Sequence, residues 1–188
     1  GICTKLKYHS NPIHIIPAKT CKYLNNQLKK YLSNANPSGV IAGQPGDAMN
    51  IMITGNDNKT GQLFVSGEAT GIGWGAYEGG DGANGMMTYG GGDLKNFPIE
   101  VQEHRFPIRI NEYCLRADSG GKGRWRGGLG LIRKYEILQD SKLSTWFERT
   151  KTTGRGLFGG KNGKGAEVVV EEPKGKKWKA LKCADVHV

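Results

Sequence analysis

Three carboxylates stand at positions where a chain can carry out acid–base chemistry, namely Glu68, Asp81 and Glu100. Glu68 ends a strand-like run and leads into a glycine-rich stretch, so its carboxylate can project into a cleft or accept hydrogen bonds from loop amides. Asp81 lies between glycines, where an aspartate commonly bonds to its own backbone in a turn. These three residues are the catalytic candidates, and structural roles explain their types equally well.

Trp74 lies in a glycine-rich stretch, Thr70–Gly92, that contains ten glycines. A solvated linker would not need the Trp, Tyr and Met side chains that this stretch also holds. We therefore expect an ordered loop whose backbone closely approaches another segment. Trp74 then either walls a substrate or interface pocket or fills the core.

Arg124, Trp125 and Arg126 are the remaining candidates for substrate or interface contacts. They lie in Gly120–Gly130, which has six glycines in eleven residues and is predicted to turn sharply with at least one glycine at positive φ. In an extended segment the arginines share one face and Trp125 takes the other, so we expect the tryptophan to pack inward. The arginines should then meet carboxylates or backbone carbonyls. Stacking of Trp125 on an RNA base is an alternative, but such motifs usually repeat and this one occurs once.

Several other motifs are excluded by their surroundings. The pattern at 71–76 fits a loose dinucleotide-binding motif, but the following residues cannot open the helix that the motif requires. The segment 159–164 is too short for a phosphate-binding loop and has no Ser or Thr after its lysine. The four histidines do not have metal-ligand spacing, so the sequence predicts no metal site in this chain.

The elements that must position these residues indicate an α+β fold, predominantly antiparallel β-sheet with one main helix near the N-terminus and long glycine-rich loops. Apolar residues at helical spacing predict the helix over Ala18–Ser33, and alternation with glycine punctuation predicts the strands. The predicted strands are Met49–Thr54, Gln62–Ala69, Glu100–Glu103, Phe106–Leu115, Leu129–Leu138, Ser141–Arg149, Ala166–Glu171 and a short Trp178–Leu181. His104 directly follows the third of these strands, and in an extended run it would face the side of the sheet opposite to that of the adjacent Glu103.

Composition is compatible with one domain over residues 1–188. The four cysteines are widely spaced, which favours reduced thiols and a cytoplasmic protein. No run is long and apolar enough to suggest membrane insertion. The formal net charge is +10, which is typical of a solvated face, of a surface for an acidic partner subunit, or of a nucleic-acid binder.

The amino-acid sequence of several segments resembles the C-terminal part of the hydantoinase B family. The strongest likeness is the run Arg116–Gly130, with further likeness at Glu68–Ala76, Asp81–Gly85, Asn96–Glu100 and Gly156–Lys161. One departure is the segment Met87–Asp93, where many members have a histidine-rich sequence. The family also looks much longer than this chain, so we expect a C-terminal fragment of a larger subunit.

The resemblance implies ATP-dependent opening of a cyclic amide such as a hydantoin or 5-oxoproline, or the related carboxylation of a ketone. It also implies a hetero-oligomer in which a hydantoinase A-type subunit handles ATP and a divalent metal ion lies in the rest of the hydantoinase B-type subunit. The chain itself is then expected to bind no cofactor, to be inactive alone, and to bind neither nucleic acid nor membrane. A non-catalytic assembly module and a basic RNA-binding domain are the alternatives.

Overall fold

The computed structural model describes residues 32–34, 36–43, 49–87, 95–147, 149–172, 177–180 and 184–187. Within these residues the fold is α+β with mostly antiparallel sheet, as the sequence predicts. The strands are β1 (Met49–Asn56), β2 (Leu63–Thr70), β3 (Ile108–Leu115), β4 (Leu131–Ile137), β5 (Lys142–Trp146), β6 (Val168–Glu171), β7 (Lys177–Ala180) and β8 (Ala184–His187). Helix α1 spans Ile99–Arg105, and a 3-10 helix spans Pro37–Gly39. The predicted helix Ala18–Ser33 lies almost entirely outside the described residues, although residues 32–34 are helical.

The predicted hairpin is confirmed. Strands β1 and β2 pair antiparallel, with Met49 opposite Thr70 and Asn56 opposite Leu63. In the turn, the Asp57 carboxylate accepts hydrogen bonds from the Lys59 amide at 2.9 Å and the Thr60 hydroxyl at 3.0 Å. These bonds, the Lys59 amide first, lower the pKa of Asp57 because they favour the charged form. Short polar turn residues therefore fix the hairpin register locally.

The largest sheet has the strand order β2-β1-β5-β8, and all its pairs are antiparallel. Its inner face meets the separate β3–β4 ribbon. The core between them consists of the buried side chains of Ile53, Phe64, Ile108 and Leu143. Burial of these apolar groups is the main force that holds the two layers together.

The β3–β4 ribbon changes character along its length. A bulge between Ile110 and Glu112 leaves Asn111 without a paired residue on β4. Before the bulge Ile108 is buried, whereas every residue of β3 from Asn111 to Leu115 is exposed. Bulges bend a strand and re-aim its side chains, so β3 is exposed beyond this point, whereas Arg133 of the paired strand β4 remains buried.

Helix α1 replaces the predicted strand Glu100–Glu103, and that prediction is wrong. Pro98 stands at the N-cap position, Glu100 lies in the first turn, and His104 lies in the last turn. These placements suit a helix, because acidic groups favour its N-terminus and basic groups its C-terminus. Glu103 accepts a hydrogen bond from the Ile110 amide at 2.8 Å, so α1 is tied to β3. His104 and Glu103 are consequently neighbours on a helix rather than on opposite faces of a sheet.

The C-terminal part forms two further pairings. Strands β6 and β7 pair antiparallel, which agrees with the predictions for Ala166–Glu171 and Trp178–Leu181. Strand β8 was not predicted, and it pairs with β5 so that Lys142 lies opposite His187. A second, smaller core joins Phe147 and Val168. Helices in the described part of the chain are too short or too polar to span a lipid bilayer.

Candidate functional site

Three glycine-rich segments hydrogen-bond to one another through their backbones, and we call residues 71–87, 116–130 and 154–165 together the glycine core. The first two segments are joined in both directions. Gly128 N donates to Trp74 O at 2.8 Å, Gly82 N donates to Arg126 O at 2.8 Å, and Gly85 N donates to Leu129 O at 2.8 Å. Two loops that are far apart in sequence thus behave as one unit.

The third segment is held on the second in the same manner. Lys161 N donates to Lys122 O at 2.7 Å, and Lys164 N donates to Ser119 O at 2.8 Å. The hydroxyl of Ser119 donates to Arg116 O at 2.7 Å and accepts from Gly130 N at 2.9 Å. Ser119 is buried and its hydroxyl both donates and accepts, so it is a structural residue of the turn.

Glycine is required in this core because the backbones touch. A Cβ added at Gly128 would overlap the carbonyl oxygen of Ala83, and one added at Gly121 would overlap that of Lys161. Gly130 differs, because its added Cβ would lie 3.8 Å from the Ser119 hydroxyl, an ordinary contact. The need for glycine here is steric.

Positive φ plays a smaller part in Gly120–Gly130 than expected. None of the glycines in that segment has positive φ, so the prediction of one is wrong. The left-handed residue of the turn is Asp118, with φ 54. Aspartate tolerates this conformation better than most residues because its short side chain can bond to nearby backbone groups.

Asp81 and Asn84 hold the first loop against the second. Asp81 Oδ1 accepts from Arg126 N at 2.7 Å, and Asn84 Oδ1 accepts from Leu129 N at 2.7 Å. Each side chain therefore satisfies an amide across the loop contact, rather than an amide of its own turn. Asp81 was a catalytic candidate, and its observed contact is structural. Asn84 was not identified as a candidate from the sequence, although, like Asp81, it is a short polar residue in the same loop.

Trp74 is half-buried within the same core. Its indole Nε1 donates to Met87 O at 2.6 Å, and its backbone N donates to Ala83 O at 2.9 Å. The ring therefore closes the first loop upon itself. Trp74 also contributes to the wall of the concavity described below, so a pocket role and a packing role coexist.

Arg124 and Trp125 interact with each other. The Arg124 guanidinium lies 4.7 Å from the centroid of the Trp125 ring, a cation–π contact. Trp125 is half-buried, and Arg124 and Arg126 are exposed. The expectation that Trp125 and Arg124 take opposite faces is wrong, because this segment bends instead of running as an extended strand. Arg126 is fixed through its backbone amide to Asp81.

Glu68 is the candidate whose surroundings are most unusual. It forms an ion pair with Arg133 at 2.5 Å, and the two side chains are 7% and 2% exposed. Glu68 also accepts from Asn96 Nδ2 and from the Phe97 backbone amide, each at 2.9 Å. The carboxylate thus links β2, β4 and the segment that enters α1. Capping of loop amides, one of its two roles considered from the sequence, is observed.

Arg133 also contacts two tyrosines beside this ion pair. It donates to the Tyr135 hydroxyl at 3.2 Å, and its guanidinium lies 4.3 Å from the centroid of the Tyr113 ring. Burial alone would lower the pKa of Arg133, but Tyr135 and the Glu68 carboxylate raise it overall. Burial raises the pKa of Tyr135. Arg133 was not singled out from the sequence. The sequence does contain a signal for its burial, because strand alternation places Arg133 on the same face of β4 as Leu131, Tyr135 and Ile137.

A concavity of about 1760 Å³ lies between the glycine core and the sheets. Its wall includes Trp74, Trp125 and Arg133, with the cations Arg116 and Lys122. Typical small-molecule pockets have volumes of roughly 300–1,000 Å³, so this opening is larger than one small ligand requires.

The structure brings Trp74, Asp81 and the segment 124–126 together around the glycine core. Glu100 is exposed in the first turn of α1.

A metal site is not formed in the described part of the chain. No group of three or more His, Cys, Asp or Glu side chains there is close enough to hold a metal ion. Glu68 and Asp81 already accept hydrogen bonds from Arg133 and Arg126. Residues in this part of the chain do not fit a divalent metal centre.

These features define an antiparallel α+β protein whose candidate site is built on interlocked glycine loops. A family model described as Hydantoinase B/oxoprolinase matches residues 8–187. The chain therefore belongs to the hydantoinase B/oxoprolinase family, as the resemblance implied.

Relatives of known sequence agree with this assignment. An uncharacterized protein of Methanocaldococcus jannaschii is 35% identical over 181 residues, which cover 93% of this chain and 31% of that protein. A Pseudomonas protein (strain NS671), named as the B-type component of a D-/L-hydantoinase, is 31% identical over 81% of this chain and 26% of its own length. The 5-oxoprolinase 1 of Arabidopsis thaliana is 33% identical over 67% of this chain and 10% of its own length. The chain thus spans less than a third of these relatives.

A solved structure shares the fold. The nucleotide-free structure of an acetone carboxylase matches 72% of this chain and 18% of its own chain, with a TM-score of 0.50 and 19% identity. At this level of identity the likeness concerns the arrangement of the backbone.

Proposed function

We propose that this chain is the C-terminal part of a hydantoinase B-type subunit in an ATP-dependent enzyme complex. The activity is the opening of a cyclic amide such as N-methylhydantoin, 5-oxoproline or a similar lactam, or the carboxylation of a ketone. The observation that carries the proposal is the family match over residues 8–187, together with relatives named as a hydantoinase component and as 5-oxoprolinase.

The division of labour in the complex follows from what this chain offers. A hydantoinase A-type subunit handles ATP, since the sequence has no phosphate-binding loop followed by a helix. A divalent metal ion belongs to the rest of the hydantoinase B-type subunit, as the family resemblance implies. A cytoplasmic location is part of the proposal, and the free, exposed thiol of Cys114 fits a reducing compartment.

Within that complex the glycine core has a positioning role. Its three segments are held by backbone hydrogen bonds and by Asp81 and Asn84, so the wall of the concavity is rigid. A rigid wall keeps polar groups in place without reorganisation during a reaction, which is how preorganised sites favour a transition state. The chain shapes the site, and the reacting groups come from elsewhere in the subunit.

The test is reconstitution. The purified chain, supplied with ATP, Mg²⁺ or Mn²⁺, and 5-oxoproline or N-methylhydantoin, should show no turnover. Addition of the remainder of the subunit and of the ATP-handling subunit should give ATP-dependent turnover of one substrate class. Turnover by the 188-residue chain alone would contradict the proposal.

A non-catalytic assembly role is the second candidate, favoured because Glu68 and Asp81 are both occupied by structural hydrogen bonds. Asp81→Asn tests whether Asp81 itself reacts, because the amide oxygen still accepts from Arg126 N while the negative charge is lost. If Asp81 takes part in proton transfer, turnover by the reconstituted complex should fall by roughly 10²–10⁴-fold. Retained turnover would show that Asp81 has a structural role only.

A further inference from the structure

Phe158 occupies a backbone conformation that is unfavourable for a bulky residue. Phe158 has φ 49 and Gly159 has φ 82, and the turn is closed by Gly160 N donating to Leu157 O at 2.9 Å. Two successive positive φ values are typical of a type I′ turn, in which Asn or Gly is preferred at both positions. A phenylalanine at the first position is therefore a strained choice.

The fold gains nothing visible from this side chain. Phe158 is 67% exposed, and within the described part of the chain its ring has no aromatic or cation–π contact. Replacement by Asn would suit the turn better and remove an exposed apolar group. A strained, exposed aromatic residue at the rim of a concavity is better explained by a contact with another molecule.

The surroundings of Phe158 are strongly basic. The second and third segments of the glycine core lie side by side there, since Lys161 N bonds to Lys122 O and an added Cβ on Gly123 would lie 3.6 Å from Gly160 Cα. Segments 116–130 and 154–165 contain seven Lys and Arg residues and one acidic residue, Asp118. Arg116 pairs with Glu167 at 3.6 Å, and the surface that carries Phe158 keeps a net positive charge.

We propose that Phe158 anchors this surface in an apolar pocket with an acidic rim on the remainder of the hydantoinase B-type subunit. This inference rests on the proposed function. Length and charge both indicate this partner, because the relatives extend well beyond the region that this chain matches and a basic surface is complementary to an acidic one. The size of the concavity also suits a polypeptide better than a small ligand.

The experiment compares binding and stability in the same variants. The remainder of the subunit encoded by the same genome is produced as a separate polypeptide, and its affinity for this chain is measured by calorimetry. Phe158→Asn should weaken binding at least tenfold, as is common for a buried aromatic anchor. It should also raise the melting midpoint of the isolated chain by about 2 °C, because strain is relieved.

Two further variants isolate the ring from the turn. Phe158→Tyr keeps an aromatic ring and should bind almost as well as the wild type. Phe97→Ala removes another exposed phenylalanine, 62% exposed, that lies outside the glycine core, and binding should be retained. Equal losses in Phe97→Ala and Phe158→Asn would overturn the assignment of the anchor to this turn.

The outcomes also separate this inference from the function on which it rests. If the remainder binds the wild-type chain and Phe158→Asn binds equally well, the anchor is wrong and the subunit assignment stands. If the remainder does not bind the wild-type chain at all, the subunit assignment fails and the anchor fails with it. If the chain instead binds polyuridylate with steep salt dependence, and Phe158→Asn abolishes that binding, an RNA surface replaces the proposed one.

Discussion

Arg133 on β4 and Glu68 on β2 form a buried ion pair that joins the ribbon to the large sheet, and Glu68 also accepts from the Phe97 amide. Removal of one partner leaves a buried charge without compensation, which typically costs about 3–5 kcal/mol. Arg133→Met should therefore lower the free energy of unfolding by about that amount in urea melts.

A double variant and a surface pair provide the controls for this prediction. Glu68→Leu combined with Arg133→Met should cost clearly less than the sum of the two single variants, since no buried charge remains. Arg109 and Glu136 form an exposed pair at 3.6 Å, with side chains 60% and 48% exposed. Arg109→Met should change stability by less than about 1 kcal/mol. Additive single-variant effects at Glu68 and Arg133 would contradict the coupling.

The raised pKa of Tyr135 predicts that the protein loses stability in alkaline solution. Burial raises its pKa above the ordinary value of 10.0, so the unfolded chain releases this proton before the folded chain does. The contribution of Tyr135 to the free energy of unfolding is fully present below about pH 10 and is lost as the pH rises through the pKa of Tyr135 in the folded protein. Tyr135→Phe should reduce the difference in unfolding free energy measured at about pH 9 and about pH 11. An equal difference in both proteins would show that Tyr135 is not the titrating group.

Two glycines two residues apart should respond differently to the same substitution. Gly128→Ala forces a Cβ into the Ala83 carbonyl oxygen, so the loops must separate or the backbone must shift. We expect a loss of at least about 3 kcal/mol, or failure to fold. Gly130→Ala meets only an ordinary contact with Ser119 and should cost within about 1 kcal/mol. Similar melting curves for the two variants would contradict the close approach of the loops.

Trp74 contributes both a hydrogen bond and apolar area. Trp74→Ala removes both and should cost about 3 kcal/mol. Trp74→Phe keeps a ring but leaves Met87 O without its indole donor, so a loss of about 1 kcal/mol is expected. Denaturant melts of the two variants measure the difference. If both coincide with the wild type, the ring is dispensable for the fold, and its role lies at the concavity.

The fold was predictable where local signals agree. The turn between β1 and β2 is short and polar and contains Gly61 at positive φ, so both the hairpin and its position follow from the sequence. Helix α1 was missed because its seven residues are too few to show helical periodicity, although Pro98 and the placement of charges favoured a helix. Strand β8 was missed because it is only four residues long and is defined by its pairing with β5, a tertiary contact that no local pattern reveals.

The site was predictable in its parts and not in its connections. Glycine density indicates loops, but it does not reveal that the partner of a backbone group lies on another loop, as Gly128 N does with Trp74 O. Arg133 lies 65 residues from Glu68, and no local pattern pairs two charges at that separation. Asp81 was recognised as a loop residue, while its actual acceptor role toward Arg126 depends on the tertiary contact.

The interlocked loops also bear on the order in which the chain folds. The β1–β2 hairpin closes a short turn, whereas the contact of Asp81 with Arg126 spans 45 residues and requires a larger loss of chain entropy. Tertiary contacts of such separation form slowly, and a glycine segment adds to the cost because it has the most freedom to lose. We therefore expect the hairpin to form early and closure of the glycine core to be a late step in folding.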